Sequence, residues 1–402
     1  MTDILSGIRV VELAAWTFVP AAGAVLADWG ADVIKIEHPE TGDPQRGLIS
    51  SGIVAGAGGV NHFIEQPNRG KRSVGLDTRS PEGLELLMKL LESADVFLTN
   101  LLPDSRQRMG IDVEQVRARN PKIIYARGHG YGTKGELADQ GGFDLAAYWA
   151  RGGIGEGYAT DDAYPPIQRP AFGDVYGGLS IAAGIAGALF KRERTGEPSV
   201  VDVSLLGAAI WQLGPDIVGA GVTGADIPKF HLEEMPNPAA SIYQTGDGRH
   251  IVFVLLQSDR FWADFCTRLG RPDFVDDERY ANAMARFANR ADCIAELRKT
   301  IGSHDLSHWE KAFAGFDGVW DVMRTAHEVH SDPQAIANGY LPRVTDAADN
   351  EFALAASPVQ FDETPLTLTR APGHGEHTDA VLAELGYNDE EIIDFKIKSV
   401  VL

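Results

Sequence analysis

The chain has 402 residues, which exceeds one typical domain, so we expect two domains. Its 57 acidic residues outnumber its 36 basic residues, and the formal net charge of −21 argues against nucleic acid or an anionic membrane as a main partner. Cys266 and Cys293 form no disulfide or metal-binding pattern, and no segment looks like a signal peptide or a membrane span. These properties predict a cytoplasmic protein.

The first half of the sequence alternates predicted strands with predicted helices. Apolar runs predict strands over 8–14, 32–37, 73–76, 95–99 and 122–127. Ser80-Pro81-Glu82 begins a helix, because it combines an N-cap, a first-turn proline and an acid at the positive end of the helix dipole. Strands separated by helices predict an α/β fold, with a mainly parallel sheet that helices cover on both faces.

Ligands of such sheets bind at the carboxyl ends of the strands. Residues 1–212 are therefore predicted to form a large domain with a pocket along that edge. The side chains that the sequence places there are Trp16, Thr17, Glu37, His38, Asn100, Leu101 and residues 128–132.

The second half predicts a smaller domain of a different kind. Residues 213–238 are rich in glycine and proline without a clear period, and we expect a linker there. A hairpin that turns at Asp247-Gly248, followed by helices over about 259–270, 284–301 and 306–315, predicts a small α+β domain over 239–329. Residues 330–402 are predicted as a return segment that completes the large domain, with helices near 377–386 and 388–396.

Two kinds of short motif lack the context that their usual chemistry needs. Residues 130–135 match G-x-G-x-x-G, but poor helix formers follow, so we expect no NAD. The H-x-x-H pairs over 327–330 and 374–377 do not fit the H-E-x-x-H spacing of zinc sites, so we expect no metal.

A basic segment, residues 68–73, stands out in so acidic a chain. Such a run is usually a solvated turn, but its cationic groups could equally pair with a phosphate. The candidates for binding a phosphorylated ligand are Asn68, Lys71 and Arg72, with Arg46 and Arg108 as further cations.

Asp174 stands where a loop turns into a helix made almost entirely of small and apolar residues. Gly173, Gly177 and Gly178 surround it and leave room for a ligand and for free amide groups. Two interpretations remain open at this point. Asp174 either caps the helix, a role worth about 1 kcal/mol, or acts as a nucleophile that the helix N-terminus keeps ionised.

Five stretches of the chain together resemble the class III CoA-transferase family, which includes formyl-CoA:oxalate and carnitine CoA-transferases and α-methylacyl-CoA racemase. They lie within 5–13, 30–47, 68–77, 173–205 and 371–378, with motifs such as Gly30-Ala-Asp-Val-Ile-Lys-Ile-Glu37 and Asn68-Arg-Gly-Lys-Arg-Ser73. The resemblance implies a Rossmann-like large domain that binds CoA, a smaller α+β domain and an interlocked homodimer. It also implies that Asp174 is the nucleophile and that the substrates are an acyl-CoA and a carboxylic acid.

The resemblance also implies roles for further residues. The family's CoA-contacting positions match Trp16, Thr17, His38, Asn100, Leu101 and Arg108. Candidate amide donors to a developing oxyanion are Gly173, Gly177 and Gly178. The chain departs from a related transferase at Trp16-Thr17, where that enzyme has Val-Gln, and at His38, where it has Arg. The tetraglycine loop of the oxalate enzyme is absent from 225–250, which argues against oxalate as acceptor.

The racemase branch uses a histidine in a Gly-His-Asp segment as acid or base at the α-carbon. That segment aligns with Gly142-Phe143-Asp144, and Phe143 cannot transfer a proton. We therefore expect transfer of CoA from an acyl-CoA to a carboxylic acid. The alternatives are an acyl-CoA racemase or isomerase and a non-catalytic CoA-binding protein. Asp144 remains a secondary catalytic candidate or a helix cap ahead of residues 145–148.

Overall fold

The chain folds into two units, and the computed structural model describes residues 3–52, 59–160, 164–229 and 231–402. The larger unit comprises residues 1–158, 165–226 and 333–402, and the smaller unit comprises residues 159–164 and 227–332. The chain thus leaves the larger unit, builds the smaller one and returns.

A parallel sheet forms the centre of the larger unit. Its strands are β1 (Arg9–Leu13), β2 (Asp32–Glu37), β3 (Arg72–Gly75), β4 (Val96–Thr99), β5 (Ile124–His129) and β6 (Val200–Ser204). All neighbouring strands pair in parallel, in the order β3-β2-β1-β4-β5-β6. This is the strand order of dinucleotide-binding folds, and it confirms the predicted α/β class. Only β6 was not predicted, because this edge strand is half-exposed and carries no continuous apolar run.

Helices separate and follow these strands. They are α1 (Phe18–Asp28), α2 (His62–Asn68), α3 (Pro81–Glu92), α4 (Pro103–Met109), α5 (Val113–Arg119), α6 (Ile154–Gly157), α7 (Phe172–Thr195), α8 (Leu205–Gln212) and α9 (Gly214–Thr223), with a 3₁₀ turn at Pro44–Gly47 and a π-helix at Leu145–Ala150. Helix α9 lies within residues 213–238, where a linker was predicted. None of its residues is buried, which explains why no apolar period marks it in the sequence.

The smaller unit is an antiparallel sheet with helices around an aromatic core. Its elements are β7 (Ile242–Gln244), β8 (His250–Phe253), α10 (Ser258–Arg268), α11 (Asp273–Asp276), α12 (Ala283–Ala288), α13 (Arg290–Ile301), α14 (Leu306–Ala312), β9 (Trp320–Val322) and α15 (Ala326–Val329). The hairpin turning at Asp247-Gly248 is confirmed. The single helix predicted over 284–301 is wrong: Asn289 ends α12 and precedes α13 with a non-helical backbone.

The C-terminal segment adds α16 (Pro333–Ala337), a hairpin of β10 (Arg343–Thr345) and β11 (Glu351–Ala353), and the helices α17 (Thr378–Glu384) and α18 (Asp389–Ile397). The last residues reach β3, where the Leu402 amide donates to the Gly75 carbonyl at 3.1 Å.

Two apolar cores cover the two faces of the parallel sheet. Val10 packs with side chains of α1, α7 and α8, whereas its neighbour Val11 packs with those of α3, α17 and α18. Helix α7 is 24 residues long and apolar enough to cross a membrane by length and composition, but its buried face packs on α1 inside the larger unit. A Cβ at Gly178 would lie 2.7 Å from the Ala21 Cβ, so the close helix contact requires glycine.

Candidate active site

Two adjoining pockets open at the carboxyl ends of the parallel strands, and Leu101 lines both. The first, with a volume of about 170 Å³, lies where β1 and β4 diverge, the place at which such sheets bind ligands. The second has a volume of about 440 Å³. Of the predicted CoA contacts, the first pocket gathers Trp16, Asn100 and Leu101, and the second gathers His38, Leu101 and Arg108.

Hydrogen bonds hold each of residues 14–17 in the loop between β1 and α1. Lys35 Nζ donates to the Ala14 carbonyl at 2.8 Å, and the Asn100 amide bonds both backbone groups of Ala15, at 2.7 and 3.2 Å. The Trp16 amide donates to Asp43 Oδ1 at 3.3 Å, and the buried Thr17 hydroxyl is hydrogen-bonded to Gln45. Asn100 and Thr17 are thus committed to holding this loop.

Trp16 adopts a left-handed backbone conformation, with a φ of 68°. This conformation is strained for a bulky residue and persists only where surrounding contacts enforce it. The bonds to residues 14–17 supply that constraint. They place the indole in the first pocket, edge-to-face with Phe143 at 5.5 Å between ring centroids.

A buried cluster of charges lies behind this loop. Lys71 Nζ contacts both carboxylate oxygens of Glu12 at 2.8 and 2.9 Å, and Lys35 Nζ contacts Glu12 and Asp43 at 3.3 and 2.9 Å. Burial lowers the pKa of Lys71 to about 8, although Glu12 opposes this. Burial also disfavours the charge on Lys35, but Asp43 and Glu12 outweigh it and raise its pKa.

The basic segment 68–73 does not enter either pocket. Lys71 is fully buried in the charge cluster, and buried Asn68 accepts a hydrogen bond from it at 3.0 Å. Arg72 begins β3 and therefore lies at the opposite edge of the sheet, where it pairs with Asp32 and Glu384. Nothing in this placement supports the predicted CoA contacts of these three residues. Arg46 likewise has a partner within the protein: it forms a bidentate ion pair with Glu37, with both distances 2.7 Å.

Asp174 lies in the first turn of α7 and lines the first pocket. The N-cap residue of α7 is Ala171, at φ 63°, so the interpretation of Asp174 as the cap is wrong. Among the described residues, no side chain or amide forms a hydrogen bond or ion pair with its half-buried carboxylate. Burial, reinforced by the charge of Asp144, raises the pKa of Asp174 to about 7. The helix N-terminus thus does not offset the effect of burial on this pKa, and the expectation that it keeps the carboxylate ionised is met only above a pH of about 7.

Asp144 lies behind the pocket, close enough to Asp174 to disfavour its ionisation. It precedes the π-helix without a capping hydrogen bond from its side chain, and its Oδ2 atom is buried without a hydrogen-bond partner. Burial raises the pKa of Asp144, while the nearby amides of Leu145 and Gly173 oppose the rise. Because two nearby negative charges repel each other, the state in which both carboxyl groups are ionised is disfavoured.

The glycines around Asp174 serve packing. A Cβ at Gly173 would lie 2.4 Å from the Tyr148 ring, and one at Gly177 would lie 2.4 Å from the Phe18 ring. Gly177 and Gly178 stand beyond the first turn, where amides are used inside the helix. The Gly173 amide faces Asp144. This placement gives no support to these three residues as oxyanion donors.

The sequence predicted His129 only as part of the range 128–132, without a role, and it did not predict Arg79. His129 ends β5 and lines the first pocket, with its Nε2 atom 3.2 Å from Asp202 on β6. Arg79 lines the second pocket beside Arg108 and His38. The predicted end of β5 was the signal for His129, whereas Arg79 follows β3 in a turn that no motif marks.

The motifs set aside in the sequence have structural roles. Residues 130–135 open no helix, and a Cβ at Gly130 would lie 2.8 Å from the Gly142 Cα, so this glycine allows two loops to meet. Within the described part of the chain, no group of three or more His, Cys, Asp or Glu side chains is arranged to hold a metal ion.

Known proteins are similar to this chain over nearly its full length. The profile of CoA-transferase family III matches residues 5–378. The (R)-2-hydroxy-4-methylpentanoate CoA-transferase of Clostridioides difficile is 35% identical over 399 residues, covering 99% of both chains. The cinnamoyl-CoA:phenyllactate CoA-transferase of Clostridium sporogenes is 35% identical over 395 residues, covering 97% of this chain and 95% of the relative.

The crystal structure of a CAIB/BAIF family protein from Brucella suis superposes with a TM-score of 0.83 at 30% identity, over 96% of this chain and 100% of the other. The sequence-based resemblance is thereby confirmed. The chain is a CoA-transferase and belongs to CoA-transferase family III.

Proposed function

We propose that Asp174 carries the transfer of CoA from an acyl-CoA to a carboxylic acid through covalent intermediates. The carboxylate attacks the thioester carbonyl, a mixed anhydride forms and CoA thiolate leaves. The thiolate then attacks the aspartyl carbonyl, which gives an aspartyl-CoA thioester and the free acid. An acceptor acid repeats these two steps in reverse and departs as the new thioester. Covalent catalysis divides one difficult exchange into easier ones.

The carboxylate of Asp174, which pairs with none of the described residues, is the observation that carries this proposal. A half-buried acid without a cation or hydrogen-bond donor contributes no stability, yet it faces a pocket at the diverging strands. Its pKa near 7 leaves a large carboxylate fraction at neutral pH, and a basic carboxylate is the better nucleophile.

The second pocket supports CoA as the group carried. Its lining contains Arg79, Arg108 and His38 and, among the described residues, no acidic side chain. In a chain with a net charge of −21 this is a local concentration of cations. Guanidinium groups pair strongly with phosphates, so the phosphate-bearing part of CoA fits here while the thioester reaches the first pocket.

The acyl group is less polar than oxalate under this proposal. Phe143 and Trp16 present rings to the first pocket. Two relatives have names that specify a branched 2-hydroxy acid and aromatic acids. We propose acids of comparable polarity as donor and acceptor here.

Exposed apolar side chains on α7 to α9 support the proposed assembly. Phe190, Trp211 and Val222 are 66%, 78% and 82% exposed in the single chain. A second copy of the chain would cover them, and we propose a homodimer in the cytoplasm, interlocked as in the family. Light scattering on the purified protein gives the mass, and a monomer would contradict the dimer.

Asp174→Asn tests the mechanism, because amide and carboxylate have the same shape but the amide is no nucleophile. We expect turnover to fall by at least a thousandfold while CoA still binds. Wild-type protein incubated with acyl-CoA alone is expected to gain the mass of a CoA adduct on the Asp174 peptide, and kcat/KM is expected to rise with pH through about 7.

The control is Asp104→Asn, which changes an exposed acid in the first turn of α4 that lines neither pocket. It is expected to leave turnover unchanged. Full turnover in Asp174→Asn, or an adduct on another residue, would contradict the covalent role of Asp174.

Racemisation of an acyl-CoA is the second candidate function, and His129 is the observation that favours it. Phe143 replaces the expected histidine, but His129 brings an imidazole to the same pocket from β5. With Asp174 it forms a potential acid–base pair at the α-carbon. Transfer of α-deuterium from D₂O without acceptor acid, and its loss in His129→Gln, would support racemisation; no exchange in wild type would exclude it.

A further inference from the structure

The size of the first pocket limits what it holds. Its volume is about 170 Å³, close to engineered protein cavities of about 150 Å³ that bind benzene. It therefore accommodates an acyl group of about one ring and excludes the rest of CoA, which must lie along the second pocket. The lining of this volume includes both Asp174 and the aromatic pair Trp16–Phe143.

The chemistry of the lining is mostly apolar. Phe18, Leu102 and Leu205 join the aromatic pair. Among the described residues that line the pocket there is no lysine and no arginine, and His129 is already bonded to Asp202. A second carboxylate on the acyl group would lose its hydration here without a cation to replace it, which is costly.

The two residues of the aromatic pair differ in how firmly they are held. Trp16 is fixed, because the bonds to residues 14–17 hold its backbone in the left-handed region. Phe143 is 61% exposed, lines the same pocket and packs edge-to-face with the indole. Because the backbone of Trp16 is held, its Cα cannot move away from a bulky acyl group or towards a small one.

We propose that Trp16 and Phe143 determine the acyl specificity of the enzyme, selecting acyl groups with an aromatic ring or a branched apolar chain over acetyl and over dicarboxylic acyl groups. This rests on the proposed function, in which Asp174 attacks the thioester carbonyl in this pocket. Rings pack edge-to-face on aromatic side chains, and each methylene lost from an apolar pocket changes specificity by about 10- to 200-fold.

The test compares kcat/KM for phenylacetyl-CoA, isovaleryl-CoA, acetyl-CoA and succinyl-CoA with one common acceptor acid. In wild type, the two apolar substrates are expected to exceed acetyl-CoA and succinyl-CoA by at least tenfold. Trp16→Ala is expected to lower kcat/KM for phenylacetyl-CoA by at least tenfold more than kcat/KM for acetyl-CoA. Trp16→Phe retains a ring and is expected to keep most of the preference.

Phe143→Ala provides a second variant that the fold tolerates, since the side chain is mostly exposed. It is expected to reduce the ratio of kcat/KM for phenylacetyl-CoA to kcat/KM for acetyl-CoA, by a smaller factor than Trp16→Ala. An equal loss for all four substrates in both variants, or a wild-type preference for succinyl-CoA, would overturn the proposal. Asp174→Asn separates the two proposals, because it is expected to abolish turnover with every acyl-CoA alike, whereas Trp16→Ala and Phe143→Ala are expected to change the preference among them.

Discussion

The two edges of the parallel sheet differ in how their charges are used. At the amino edge Arg9, Asp32, Arg72 and Glu384 form a ring of ion pairs with distances of 2.6 to 3.2 Å. At the carboxyl edge Asp174 has no such partner among the described residues, and burial raises its pKa to about 7. The same chain thus satisfies its charges at one edge and leaves one unsatisfied at the other.

Two residues with a left-handed backbone also lie at the carboxyl edge. Trp16 and Ala171, both at the carboxyl edge, have φ values of 68° and 63°. Strained residues and unpaired charges both reduce stability, so they persist where a function requires them. The buried ion pairs behind the loop and the Asn100 amide compensate by holding that edge rigid. The comparison predicts that substitutions at the two edges differ in effect.

The largest effect is expected at Lys71, which belongs to the carboxyl-edge cluster although it is adjacent in sequence to Arg72 at the amino edge. Lys71→Ala leaves Glu12 buried with one fewer partner, and breaking a buried pair costs about 3–5 kcal/mol. Arg72→Gln removes partly exposed pairs that are worth about 0–1 kcal/mol. Urea unfolding of both variants measures the free energies.

A free-energy loss for Arg72→Gln as large as that for Lys71→Ala would contradict the difference between the edges. A Lys71→Ala chain that fails to accumulate as folded protein, while Arg72→Gln accumulates normally, would agree with it.

A smaller effect is expected at Asn100, whose side chain bridges the strands at which the sheet order reverses. Asn100→Ala leaves the amide and carbonyl of Ala15 without their partners, at a cost of about 1–3 kcal/mol. It also frees the loop that positions Trp16. Since small displacements of positioning groups reduce rates by about a hundredfold, we expect kcat/KM to fall by 10- to 100-fold, with the preference for aromatic acyl groups reduced.

Asn100→Asp is the matched variant, because it keeps an acceptor for the Ala15 amide but places a charged oxygen against the Ala15 carbonyl instead of the donor. It is expected to lose at least as much kcat/KM as Asn100→Ala. Asn100→Ala could instead raise KM for every acyl-CoA equally and leave kcat and the preference among acyl groups unchanged. That result would show that Asn100 contacts CoA, as the family resemblance implies, rather than positions Trp16.

Much of this site was predictable from the sequence, and the failures have a common cause. Strand ends located Trp16, His38, Asn100 and Leu101 because parallel strands present their carboxyl ends together. Lys71 and Arg72 were misleading because a run of cations in sequence does not reveal which side chains are buried. Whether Asp174 caps its helix depended on one backbone angle, that of Ala171, which no sequence pattern specifies.

The smallest effect concerns the stability of the Asp174 site itself and depends on pH. The pKa of Asp174 lies at about 7 in the folded chain against an ordinary value of 3.8. The folded state therefore binds more protons than the unfolded state between these values, and this group makes the wild type less stable as pH rises from 4 to 7.

The amide introduced by Asp174→Asn does not titrate, so this variant is expected to be more stable than wild type at pH 8 by up to about 2 kcal/mol, after allowance for partial exposure. The gain is expected to vanish near pH 4. Urea unfolding at pH 4.5, 6 and 8 measures it, and a difference that does not change with pH would show that the carboxylate at this edge is no less well satisfied than those at the other.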